Sequence, residues 1–216
     1  MTRRLVLLFA ALGSALALVL AGCSSGGGDP QPSESELIGG NGSGQFQGAG
    51  LTPPQPRPNF TLTDTSGTQF AFGQQTAGHP TLLFFGYTNC PDVCPTTMAQ
   101  VQTALKQVST ATAKETYVVF VTTDVKRDTA PVLKRWLQNF SSGIKGAKLV
   151  GLTGTQAQID AAQAAAHITV AEDNGQTHSS KLLLYGPDDY ARIAFLQSTQ
   201  LDKQVAHDLP IVAKEG

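Results

Sequence analysis

Two stretches constrain this chain more than any others: Thr81 to Tyr87 (TLLFFGY) and Thr116 to Thr122 (TYVVFVT). Each is a short, unbroken apolar run closed by turn-forming residues. A strand with one wet face alternates apolar and polar residues, so unbroken runs of this length predict strands covered on both faces. Helical spacing follows each of them. Met98, Val101, Leu105 and Val108 share a face after the first run, and Val132, Leu133, Trp136 and Leu137 share one after the second. Asp128-Thr129 ahead of Pro131 marks the start of that second helix. Lys148 to Leu152 predicts a third strand. Thr153-Gly154-Thr155-Gln156 reads as a capping box that opens an Ala-rich helix running to about Ala166.

The flanks of this alternating core read differently. Phe60 to Asp64 alternates like a half-buried strand and turns through Thr65-Ser66-Gly67-Thr68 into Gln69 to Phe72, a hairpin that opens the domain. Lys181 to Tyr185 and Ala191 to Leu196 flank Gly186-Pro187-Asp188-Asp189 and predict an antiparallel pair, with Asp202 to Ala213 as a closing helix interrupted late by Pro210. The expected fold is therefore α/β, with a mixed central sheet flanked by helices and a hairpin at the N-terminal side. With 15 Lys and Arg against 16 Asp and Glu, the net charge of −1 gives no basic face for nucleic acid. Three cysteines are too few to staple a secreted scaffold.

Residues 1–22 and 23–58 stand outside the predicted core. Arg3 and Arg4 precede an apolar run from Leu5 to Leu20, which ends in Leu20-Ala21-Gly22-Cys23. This ending resembles the bacterial lipoprotein cleavage box, which implies that 1–22 is a signal peptide and that Cys23 becomes a lipidated N-terminus. Multiple acyl chains exceed the two-signal threshold for stable membrane attachment, and the expected location is the cell membrane, facing the extracytoplasmic side. A transmembrane anchor over Leu5 to Gly22 is the competing reading. Export would leave 13 basic residues against 16 acidic ones, a net charge of −3. Residues 23–58 are rich in Gly, Ser and Pro and read as a flexible tether with a root-mean-square reach of about 30 Å. Residues 59–216 are then the folded domain.

Cys90 and Cys94 sit where a buried strand meets a helix start, the end of an α/β sheet at which ligands bind. Residues four apart share a helical face, and the amides of a helix N-terminus favour thiolate over thiol. Soft thiolates take Cu(I) or zinc, or close a reversible disulfide. A metal pair, a redox pair and an inert structural disulfide all fit this spacing, although the usual thioredoxin-type motif has two intervening residues rather than three. His178 stands directly before the strand KLLLY, and imidazole suits copper; its plainer reading is a solvated loop histidine. His79, His167 and His207 read as strand entry, helix end and helix surface, and Met98 as core.

Phe85-Gly86-Tyr87-Thr88-Asn89-Cys90-Pro91-Asp92-Val93-Cys94-Pro95 closely resembles the signature of the Sco/SenC family. Asp124 with Arg127-Asp128-Thr129, Gly151-Leu152-Thr153-Gly154-Thr155, and His178-Ser179 before Gly186-Pro187-Asp188 follow in that family's order. The resemblance spans residues 59–216. It implies a thioredoxin-like fold that binds copper, as Cu(I) or Cu(II), through Cys90, Cys94 and His178. It also implies a Cys90–Cys94 disulfide in the oxidised form and a supporting role for Asp124 beside the ligands. The implied function is maturation of the dinuclear copper centre (CuA) of cytochrome c oxidase, by copper delivery, by reduction of the acceptor's cysteines, or by both. The implied partners are the copper-bearing oxidase subunit and other copper chaperones. That role is a carrier's rather than a turnover enzyme's; a metal-free thiol–disulfide oxidoreductase is the alternative, and a peroxidase of related fold a third. Asn89 and Thr177 depart from the family's usual residues. Thr177 stands where an acid often precedes the histidine, so the imidazole needs another supporting partner.

Overall fold

The computed structural model describes residues 36–38, 44–176 and 178–215. The expected signal peptide, Cys23, most of the expected tether up to residue 43, and Thr177 lie outside the described residues. In chain order the strands are β1 (Glu36–Ile38), β2 (Ala49–Pro56), β3 (Thr61–Asp64), β4 (Gln69–Ala71), β5 (Thr81–Gly86), β6 (Tyr117–Thr122), β7 (Lys148–Thr153), β8 (Leu182–Tyr185) and β9 (Tyr190–Phe195). The helices are α1 (Phe72–Gln75), α2 (Val93–Gln107), α3 (Thr110–Glu115), α4 (Ala130–Gln138), α5 (Gln156–Ala165) and α6 (Leu201–Val212). None of these helices is long and apolar enough to cross a membrane.

The described strands form one sheet in the order β1-β2-β9-β8-β5-β6-β7-β3-β4. β5, β6 and β7 pair in parallel, with Phe84 beside Phe120 and Phe120 beside Gly151. Parallel neighbours require a long crossover, and α2 with α3, then α4, supply it. β8 runs antiparallel to β5, and β9 antiparallel to β8, which makes the sheet mixed, as expected. All six residues of β5 are buried. Successive side chains alternate faces. Leu82 and Phe84 join Phe120, Met98, Leu133, Val205 and Leu209 on one side, and Leu83 and Phe85 join Phe72, Leu152, Ile159 and Tyr185 on the other. Truncating one of these large side chains to Ala costs about 3–5 kcal/mol, so the sheet is a rigid floor for the loops at its ends.

Local chemistry sets the helix ends. α5 opens with a capping box two residues later than expected, because β7 runs on through Thr153: Thr155 Oγ1 accepts from the Gln158 amide, and Gln158 Oε1 accepts from the Thr155 amide. α4 starts after Thr129 with Pro131 in its first turn. Pro210 stands inside α6, in its last turn. The hairpin of β3 and β4 forms as read and lies against β7 at one edge of the sheet.

The expectation that the tether extends to residue 58 is corrected. β2 pairs with β9, and Leu51 and Gln55 are buried. The stretch looked like a linker because Pro lacks an N–H and is confined to gaps in a ladder. Here the pairing with β9 breaks between Gly50 and Gln55, where Pro53 and Pro54 stand. Polar groups fasten both ends of this arm. The amides of Gln47 and Gly48 donate to the buried Asp208 carboxylate of α6 at 2.9 and 2.8 Å. The buried Arg57 guanidinium donates to Asp189 Oδ1 (2.7 Å), Thr76 Oγ1 (2.8 Å), Thr81 Oγ1 (2.9 Å) and the carbonyls of His79 (3.0 Å) and Gly186 (2.8 Å). Those contacts use every N–H a guanidinium has.

Candidate metal centre

Strand polarity assembles the site. β5 ends at Gly86, and the antiparallel β8 begins at Leu182 opposite Phe84. The loop leaving β5 therefore meets the loop entering β8 at one end of the sheet. The first loop carries Cys90 and runs into α2, whose second residue is Cys94; the second carries His178.

Cys90 is partly exposed, and its sulfur accepts from the Cys94 amide at 3.4 Å. Cys94 is buried, with its sulfur packed against β5: a Cβ added at Gly86 would lie 2.8 Å from it. His178 Nε2 lies 3.5 Å from Cys94 Sγ. The two sulfurs and one ring nitrogen all lie within 4.8 Å of one another. Two metal–ligand bonds of about 2.0–2.3 Å each span up to about 4.6 Å, so a shift of a few tenths of an ångström gathers all three on one ion.

The imidazole is held in the form a metal needs. His178 Nδ1 lies 2.9 Å from the Ser179 carbonyl. A carbonyl can only accept, so Nδ1 carries the proton and Nε2 turns its lone pair toward Cys94 Sγ. The backbone of Ser179 thus supplies the support that Thr177 left open in the sequence. Burial lowers the His178 pKa, which keeps the ring neutral at pH 7. Edges of the Tyr87 and Phe84 rings close over it, with centroids at 5.5 and 6.3 Å.

The two thiols are electrostatically unequal. Burial pushes the Cys94 thiol well above its ordinary range. Burial raises Cys90 too, but hydrogen bonds from the Cys94 and Asp92 amides, the Cys94 thiol and the Val93 amide outweigh it and bring Cys90 below the ordinary thiol value. The pair is therefore one accessible, acidic sulfur and one buried, protonated sulfur. Tyr87, Cys90, Pro91, Asp92, Gln176 and His178 line a cleft of about 390 Å³.

Asp124 is buried and pairs with Arg127, whose guanidinium lies 5.8 Å from the centre of the Tyr87 ring. It reaches the site through these two neighbours. Asp128 is fully buried and accepts from the Thr88 amide (2.8 Å), the Thr88 hydroxyl (2.5 Å) and the Thr122 hydroxyl (2.6 Å), which ties the loop before Cys90 to the end of β6. The other candidates are structural: Met98 is core, His79 faces Glu115 at 3.2 Å, and His207 pairs with Asp208 at 2.7 Å. His167 follows α5 with φ at 52°. Sequence reasoning missed Thr123 and the part Gly175 plays. Asn174-Gly175 is a turn signal, but nothing in the sequence pairs it with Thr123.

A mixed, thioredoxin-like α/β sheet with two thiols at a helix N-terminus and an imidazole facing them defines a soft-metal or dithiol domain. The SCO1/SenC model matches residues 50–213, and the chain belongs to that family. A relative from Stutzerimonas stutzeri, named for copper binding, is 32% identical over 141 residues, covering 62% of this chain and 66% of its own. Protein SenC of Rhodobacter capsulatus is 36% identical over 103 residues, covering 48% and 43%. The chain thus spans less than two thirds of these relatives' length. Copper-bound ScoI of Bradyrhizobium japonicum superposes with a TM-score of 0.59 at 28% identity, covering 73% of this chain and 99% of that one. Copper-bound yeast Sco1 gives a TM-score of 0.60 at 27% identity, covering 75% and 93%.

Proposed function

We propose that this protein binds one copper ion through Cys90, Cys94 and His178 and delivers it to the CuA centre of cytochrome c oxidase. The observation that carries the reading is the convergence of two sulfurs and an unprotonated Nε2, from loops on separate strands, within 4.8 Å. Soft thiolates select Cu(I), and an imidazole adds a ligand that a simple dithiol exchange does not need. Copper is cargo here. Family membership and the copper-bound solved relatives support the same reading. Cys90, accessible at the cleft, is the ligand from which an acceptor's thiolate can take over the ion. Attachment through a lipidated Cys23 on the extracytoplasmic side of the cell membrane would keep this domain near a membrane-bound acceptor. Cys23→Ser releases it from the membrane fraction if so.

The inequality of the two thiols favours a second reading, reduction of the acceptor's disulfide. In it, the Cys90 thiolate attacks one sulfur of that disulfide and expels the other as a thiolate; Cys94, giving up its proton to that thiolate, then attacks the Cys90 sulfur of the mixed disulfide and expels the acceptor's second sulfur. Two thiols are formed on the acceptor and a Cys90–Cys94 disulfide here. The deciding experiment mixes the copper-loaded protein with a reduced acceptor fragment and follows metal and thiols together. Copper transfer without loss of thiols is the expected result. No transfer to the reduced acceptor, together with reduction of an oxidised one at the expense of Cys90 and Cys94, would replace delivery by reduction.

A further inference from the structure

We infer that Thr123 is a positioning residue that locks the histidine arm of the site to the cysteine arm, so that three ligands rather than two thiols alone hold the ion. This inference rests on the copper reading above. Thr123 is fully buried just past β6, between the two arms. Its amide donates to the carbonyl of Gly86, the last residue of β5 and four positions before Cys90, at 2.8 Å. Its hydroxyl donates to the carbonyl of Gly175, three positions before His178, at 2.6 Å.

The contact is tight enough to act as a latch. Gly175 has φ at +87°, and a Cβ there would fall 1.9 Å from the Thr123 carbonyl oxygen and 2.4 Å from its carbon. Only glycine lets the turn press this close. Both the Gly175 and Gln176 amides donate to the Glu172 carbonyl, at 2.9 and 3.1 Å, which closes the turn around the latched residue. Three consecutive Cα–Cα steps of about 3.8 Å each connect Gly175 to His178, so the latch limits where the imidazole can sit. Thr123 itself touches no ligand atom among its hydrogen-bond partners.

The test uses Thr123→Val, which removes the hydroxyl at nearly constant shape, and Thr123→Ser, which keeps it. Cu(I) affinity is read by competition with a chelator, and ligation by the thiolate-to-Cu(II) absorption band. Thr123→Val is expected to lose about 10–100-fold in affinity, the usual effect of removing a supporting partner, and to shift the band. Thr123→Ser is expected to restore both. In a His178→Ala background, Thr123→Val is expected to cost nothing more. Wild-type affinity and band in Thr123→Val overturn the inference, and so does an equal loss in the His178→Ala background, which would mark a general fold defect. If Thr123→Val does not fold, Thr123→Ala removes the same hydroxyl without adding a clash and carries the same comparison. Wild-type protein that takes up no copper overturns the metal reading itself, a result distinct from failure of the latch.

Discussion

Gly86→Ala is the smallest change that reaches the heart of the site. The new Cβ would lie 2.8 Å from Cys94 Sγ, 3.1 Å from Phe84 Cε1 and 3.3 Å from Phe120 Cε2. Ordinary contact needs about 3.5–4.0 Å, so the sulfur must retreat by about 1 Å or the rings must give way. Phe84 and Phe120 are fully buried and paired across β5 and β6, which leaves the sulfur as the easier part to move. Overpacking a core costs about 1–3 kcal/mol, while Gly→Ala at a backbone any residue can adopt returns about 0.4–1 kcal/mol through the unfolded chain. The expected net loss of stability is about 0.5–2 kcal/mol by urea denaturation. A ligand misplaced by about 1 Å is a larger disturbance to a metal than to a fold, and copper affinity should fall by about 10–100-fold. Gly50→Ala is the control, because nothing lies within 4 Å of its added Cβ. Wild-type Cu(I) affinity in Gly86→Ala would refute the placement of Cys94 Sγ against β5.

Copper binding should strengthen with pH, because burial keeps the Cys94 thiol protonated through neutrality and the ion must displace that proton. Between pH 6 and 8 the dissociation constant should fall by at least about tenfold per unit, from the Cys94 proton alone, and a flat profile from competition titrations would contradict it. Arg57→Ala should cost about 3–5 kcal/mol, from five hydrogen bonds of about 1 kcal/mol each, while the folded fraction keeps wild-type copper affinity. Asp128→Asn should destabilise by about 1.5–3 kcal/mol and speed amide exchange around Thr88, because an amide cannot replace a carboxylate that accepts three hydrogen bonds.

The central sheet was legible because its strands are buried on both faces, and unbroken runs such as TLLFFGY have few other outcomes. The start of α5 was legible only to within two residues: Thr153 and Gln156 show the same Thr-x-x-Gln spacing that Thr155 and Gln158 use, and the local pattern does not choose between them. β2 was not. Pro53 and Pro54 dominate its composition, and only long-range pairing with β9 reveals that they fall in a gap of the ladder. The N-terminal arm shows the same limit: its partner Asp208 lies 160 residues away from Gly48, and no local pattern announces it. Cys90, Cys94 and His178 could be singled out as candidates, because residue type and the neighbouring strand ends are local facts. What supports them could not. Ser179 acts through its carbonyl, Gly175 through the absence of a Cβ, and Thr123 through contacts to two distant backbones, features that residue identity does not encode.

One ion held by two sulfurs and one imidazole is what the geometry of the two loops implies. Titrating the reduced protein and its Cys90→Ser, Cys94→Ser and His178→Ala variants with Cu(I) against a competing chelator tests it most directly. One copper per wild-type chain and a loss of at least about tenfold in each variant are expected, since among the described residues these three side chains are the group that converges within metal-binding reach. Wild-type affinity in the His178→Ala variant, or one copper bound at undiminished affinity after either cysteine is replaced, would contradict it.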